Sequence, residues 1–164
     1  MFIQKLYKFF FFLVLISIVL LVYNGYKDYE FDNNPLSQKI EKQIFEKQQH
    51  TRQLLQHHYG FDLNVPIVVS DKLPSKLFGA AVFTNESKII IYLNKKRFKE
   101  SLSYMIHHVI PHEYAHAVMF YLKDFSKEQS GHSKKWQTIC IKLNGLKCEQ
   151  FVDNHDIIIG KTSF

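Results

Sequence analysis

The chain has 164 residues, 46% of them apolar and 15% aromatic, and carries a net charge of +6. That length supplies one domain with a real core and little room for a second. The apolar content excludes a disordered chain.

The first thirty residues, MFIQKLYKFFFFLVLISIVLLVYNGYKDYE, differ from the rest. Phe9 to Tyr23 holds no charge, and Ser17 is its clearest polar member. Fifteen helical residues span about 22 Å, short of the roughly 30 Å of a hydrocarbon core. Leu6, Tyr7 and a snorkelling Lys8 lengthen the stretch, and Tyr23 and Tyr26 suit the far interface. The pattern predicts a transmembrane signal-anchor over residues 9–26, preceded by a cytoplasmic N-terminus at 1–8. Two other readings stay open, a cleaved signal peptide and a buried core helix. A cleavable signal should end in small residues, yet no alanine precedes Ala80. Lys5, Lys8 and the amino terminus lie before the run, whereas Lys27 after it is accompanied by Asp28, Glu30 and Asp32, so the positive-inside tendency favours the domain on the extracytoplasmic side.

Residues 27–35 are polar and turn-forming and read as a linker. The domain follows at 36–164. From Pro35 onward 18 Lys and Arg stand against 12 Asp and Glu, so the whole net charge lies there. Such a balance suits anionic partners or simply a solvated surface, because the charges are scattered apart from KKRFK at 95–99.

LSQKIEKQIFEKQQHTRQLLQHHYG, from Leu36, predicts an amphipathic helix with Ile40, Ile44, Phe45, Leu54 and Leu55 among polar residues, stopping at Gly60. VPIVVSD at 65–71 and KIIIYLN at 88–94 are β-branched runs, and GAAVFTNES between them predicts a hairpin through TNES. The expected fold is α+β, with a short antiparallel sheet packed on helices.

HHVIPHEYAHAVMFYL at 107–122 carries the chemistry. Positions four apart on a helix share a face, so His112 and His116 can reach one ion. Glu113 lies beside that face, where metal-assisted hydrolysis needs a carboxylate. The bland alternative is an apolar seam of Met105, Val109, His112, His116 and Met119, but two buried imidazoles would each need a hydrogen-bond partner. A single zinc ion satisfies both. His108 is also four residues before His112, yet Pro111 disturbs the turn between them, which points to a structural or supporting role. A catalytic zinc usually has three protein ligands. Leu122 occupies the position a short metzincin spacing would fill, which leaves Asp124, Glu128, His132, Glu149 and His155 as candidates.

VIPHEYAHAV followed by GHSKKW resembles the SprT-like metallopeptidases, in which an HExxH helix is followed by a short loop and a Gly-His step with an aromatic a turn later. FGAAVFTNESKIIIYLN is similar to that family's strand pair, and LNGLKCEQFVDNH to its segment past the third ligand. The resemblance covers about residues 36–156. It implies a zincin-like domain with one catalytic Zn2+, held by His112, His116 and His132, and Glu113 as general base. Trp136 would wall the site and fix the third ligand's helix. It further implies a protein or peptide substrate. Ser133 departs from the glycine many relatives carry there. Only Cys140 and Cys148 are present, so the four-cysteine ribbon of many relatives is missing. Those two could be a disulfide in an oxidising compartment or two reduced core thiols.

Two alternatives to hydrolysis accompany this reading. One is a zinc-stabilised, membrane-tethered binding module, against which the carboxylate of Glu113 argues. The other is a protease of the Spartan type acting on proteins crosslinked to DNA. An exported domain without a zinc ribbon argues against nucleic acid as a partner.

Overall fold

A computed structural model describes residues 2–125, 131–146 and 148 of the chain. Two compact units divide it, residues 1–37 and 38–164.

The first unit is one helix, α1 (Phe2–Asn33). It is the one helix among the described residues long and apolar enough to cross a membrane, and its apolar window is unburied. The helix continues without a break across residues 27–33, read above as linker. Each residue added to an existing helix fixes little and gains a hydrogen bond. Here the closing turns are held by Asn34 N–H donating to the Glu30 carbonyl at 3.0 Å and by Asn33 Nδ2 donating to that of Tyr29 at 2.8 Å.

The second unit is α+β. Helix α2 (Gln38–Tyr59) ends at Gly60, as the sequence predicts. Ile44, Thr51 and Leu55 are its buried residues. Phe45, expected on that face, is exposed instead. One residue after Ile44 it is turned about 100° away, and the inward stripe steps by four and seven.

Strands β1 (Ile67–Ser70), β2 (Gly79–Phe83) and β3 (Ile89–Asn94) form a sheet in the order β1-β3-β2. β2 and β3 are the expected hairpin, antiparallel with Phe83 opposite Ile89 and Gly79 opposite Leu93. Its turn closes through Ser87 at φ 60, with Ser87 N–H donating to the Thr84 carbonyl. The sheet is nevertheless mixed and not wholly antiparallel, because β1 pairs parallel to β3. Residues 71–78 carry the chain past β3 before the hairpin begins, and a β-branched run does not specify the direction of its neighbour. Asn94 fastens this crossing: its Nδ2 donates to the Leu77 carbonyl at 2.8 Å, while Oδ1 accepts from Lys96 N–H and caps α3 (Lys95–Glu100). The basic run at 95–99 is partly structural as well. Arg97 pairs with Glu100, donates to the Ser75 carbonyl and lies over the Phe78 ring at 4.4 Å.

Next comes a long helical segment in three parts, α4 (Leu102–Tyr104), a π-turn at Met105–Val109, and α5 (Ile110–Tyr121). Pro111 explains the π-turn. Proline has no N–H to donate and its ring collides with a carbonyl one turn back. Widening that turn, with Ile110 N–H reaching the Met105 carbonyl, lets the helix continue through it. α5 is the central element of the core, with Tyr114, Ala115, Ala117 and Val118 fully buried. It stops where Lys123 adopts φ 55. A final helix, α6 (Lys134–Lys142), packs against α5 and buries Trp136, Ile139 and Cys140.

Candidate metal centre

His112 and His116 project from α5 one turn apart, as their spacing requires. His132 comes from the loop two residues ahead of α6, not from the helix itself. Its Nε2 lies 3.2 Å from Nε2 of His112 and 3.2 Å from Nε2 of His116. Among the described residues no fourth His, Cys, Asp or Glu joins this cluster. Ligands bound tetrahedrally to zinc at about 2.0–2.1 Å stand about 3.3–3.4 Å from one another. The observed separations therefore fit one ion shared by these three donors.

Electrostatics agree with the geometry. Burial lowers the pKa of His112 to about 4, helped by neighbouring His132. Burial likewise lowers His116 to about 3, with His112 and His132 adding to the effect. Both rings are thus neutral at physiological pH, and only neutral imidazole has a lone pair to give a metal.

Local structure holds each ring in place. Gly131 has φ +88, a conformation that other residues adopt only with strain, and it delivers His132 to the cluster. Ser133, noted above as a departure, is the N-cap of α6, its Oγ accepting from Trp136 N–H at 3.3 Å. That bond caps the helix at the residue directly after His132 and orients Trp136. The indole is fully buried, with its ring centroid 4.7 Å from that of His112, 4.9 Å from His116 and 4.4 Å from His132. It touches all three imidazoles.

Glu113 is buried on the flank of the cluster toward β2. Its Oε2 accepts from Ala81 N–H at 2.9 Å. Burial pushes its pKa up to about 8, against the pull of that hydrogen bond. β2 approaches so closely at Gly79 that a Cβ there would lie 2.8 Å from Glu113 Cγ and 2.9 Å from Val109 Cγ1. The family model of the SprT-like family matches residues 34–155, most of the chain. The chain belongs to the SprT-like family. No curated protein and no solved structure matches it.

Within this SprT-like domain the other sequence candidates have different places. His108 lies in the π-turn and stacks on Tyr104, with ring centroids 4.7 Å apart, outside the histidine cluster. Asp124 pairs with Lys135 at 2.9 Å. Glu128, Glu149 and His155 lie outside the described residues. The tyrosines near the motif are engaged in packing. Tyr114 donates to the Leu63 carbonyl at 2.9 Å, and Tyr121 stacks on Phe61. Cys140 and Cys148 form a disulfide with Cα atoms 5.8 Å apart, which decides between the two states left open above.

Sequence reasoning missed Gly79, Ala81 and the cap at Ser133. Nothing local marks the first two, because their role depends on β2 lying against α5. Ser133 was findable, since serine immediately before a helix is a capping signal.

Proposed function

We propose that this protein is a zinc-dependent metallopeptidase that hydrolyses peptide bonds in a protein or peptide substrate. The observation that supports it best is the convergence of three imidazole nitrogens with a buried carboxylate one residue from the first of them. His112, His116 and His132 would hold the ion. Zinc, when bound, supplies Lewis-acid chemistry, acidifying water and polarising the peptide carbonyl. Glu113 takes the proton of the attacking water and passes it to the leaving amine. Its raised pKa means that the carboxylate gives and accepts a proton near neutrality, and a nearby cation draws that value down. Trp136 closes the cluster on one side and keeps the three rings from turning.

In this reading α1 anchors the protein in a membrane with the domain outside the cytoplasm. The charge asymmetry around the apolar run supports that orientation, and so does the disulfide, a bond that persists in oxidising compartments.

Glu113→Gln tests the assignment. The variant should bind zinc in the same ratio as the wild type and lose peptide turnover. Cleavage at the wild-type rate would remove Glu113 as the base, and absence of hydrolysis by the zinc-loaded wild type would remove the peptidase. A reporter fused after Phe164 and active on one side of the membrane only tests the topology.

A further inference from the structure

An aromatic cluster stands beside the metal centre. α5 carries His112, His116 and Phe120 at four-residue intervals on one stripe, so Phe120 follows the second histidine by one turn, about 6 Å along the axis. β2 runs alongside α5 in the same direction. Gly79 faces Val109 and Glu113, Ala81 bonds Glu113, and Phe83 meets Phe120 with ring centroids 6.2 Å apart. Phe125 completes the group, 5.4 Å from Phe83 and 5.9 Å from Phe120. These rings are not core. Phe83 is 39% and Phe125 52% exposed. A surface cluster of three phenylalanines is costly in water unless something covers it.

We propose that Phe83, Phe120 and Phe125 form a specificity subsite that takes a bulky apolar side chain of the peptide substrate, within about two residues of the bond cleaved. The distance follows from the geometry: an extended peptide advances about 3.3 Å per residue, and helical side chains lean toward the helix N-terminus, here toward His116. The occupant is a peptide side chain because the cluster is continuous with the metal centre through both of its elements. β2 contributes the N–H that holds Glu113 and, two residues on, Phe83. α5 contributes two imidazoles and, a turn on, Phe120. The inference rests on the peptidase reading above.

The test uses the zinc-loaded full chain in detergent and a diverse peptide mixture, with cleavage sites read by mass spectrometry. One position within two residues of the cut should favour Phe, Leu, Tyr or Met over Gly or Asp by about tenfold or more in kcat/KM, the discrimination an apolar pocket supplies. The double variant Phe83→Ala with Phe125→Ala should lose most of that ratio, whereas Ile141→Ala, on an exposed part of α6, should keep it. The ratio between peptides does not depend on how much of a variant folds. Cuts without apolar enrichment, or enrichment that survives the double variant, overturn the subsite alone. No cuts by the wild type overturn the peptidase reading and this inference with it.

Discussion

Gly79→Ala separates the position of the carboxylate from the binding of metal. The added Cβ would lie 2.8 Å from Glu113 Cγ, 2.9 Å from Val109 Cγ1 and 3.0 Å from Glu113 Oε1, where carbon contacts are comfortable at about 3.5–4.0 Å. Something must move by roughly 0.7 Å or more. Val109 is core, and the Ala81 N–H grips Glu113 from the strand, so the shift falls on the carboxylate or opens the seam between β2 and α5. Overpacking of this kind costs about 1–3 kcal/mol. Against it, replacing a glycine whose φ is not positive recovers about 0.4–1 kcal/mol from the unfolded chain. Net destabilisation is therefore modest, a few degrees in Tm. Misplacing a catalytic group by about 1 Å can lower the rate about 10²-fold. Turnover should thus fall far more than stability, with zinc stoichiometry unchanged, as checked by peptide hydrolysis, thermal melts and metal analysis on the same preparation. Wild-type turnover in a folded Gly79→Ala protein would show that Glu113 does not need the place β2 gives it.

Ser133→Ala removes the cap of α6 and should cost about 1 kcal/mol, with zinc affinity, read by chelator competition, about tenfold weaker. Ser133→Gly should cost only a few tenths of that stability. Reducing Cys140–Cys148, which are eight positions apart, should lower stability by about 2–3 kcal/mol through the freedom returned to the unfolded chain; equal denaturant midpoints with and without reductant would contradict this. In the metal-free protein the depressed pKa values of His112 and His116 give stability that is present above about 6.5 and lost as pH falls through 4 and 3. Glu113, raised to about 8, acts oppositely: its contribution is present below about 4.5 and lost as pH rises toward 8. From these three groups alone, thermal melts of the metal-free protein should peak near pH 6.5, where the two half-protonated histidines of the unfolded chain together hold one proton, matching the one Glu113 holds in the folded chain. A melting temperature still rising above pH 7.5 would refute that balance.

Much of the site was legible because its key spacing is local. His112, Glu113 and His116 are placed by helical periodicity alone, and the β2–β3 hairpin by TNES between two β-branched runs. His132 needed the family resemblance. Sixteen residues separate it from His116, and no periodicity crosses the loop between them. The parallel partnership of β1 with β3 was illegible for a related reason, since direction is set by how residues 71–78 cross the sheet. Phe45 misled because apolarity was counted without its angle on the helix.

Pro111 was read as an interruption, and the structure gives it a positive consequence. By forcing a π-turn at Met105–Val109 it changes the angle between the residues before it and those after it. His108, which would otherwise precede His112 on the ligand face by one normal turn, instead stacks on Tyr104. Had the helix been regular, three histidines at 108, 112 and 116 would have competed for one stripe. With the widened turn, α5 presents two, and the third donor comes from another element through the glycine at 131. A cluster assembled from two elements holds α6 to α5 once an ion joins it, whereas a cluster on one helix would join nothing. Metal binding should therefore be coupled to the packing of Trp136 as well as to the imidazoles. The fluorescence of this single tryptophan should change as zinc is added to the metal-free protein, and should change little at the same zinc concentration in a His132→Ala variant, where two imidazoles alone hold the ion too weakly to fill the site.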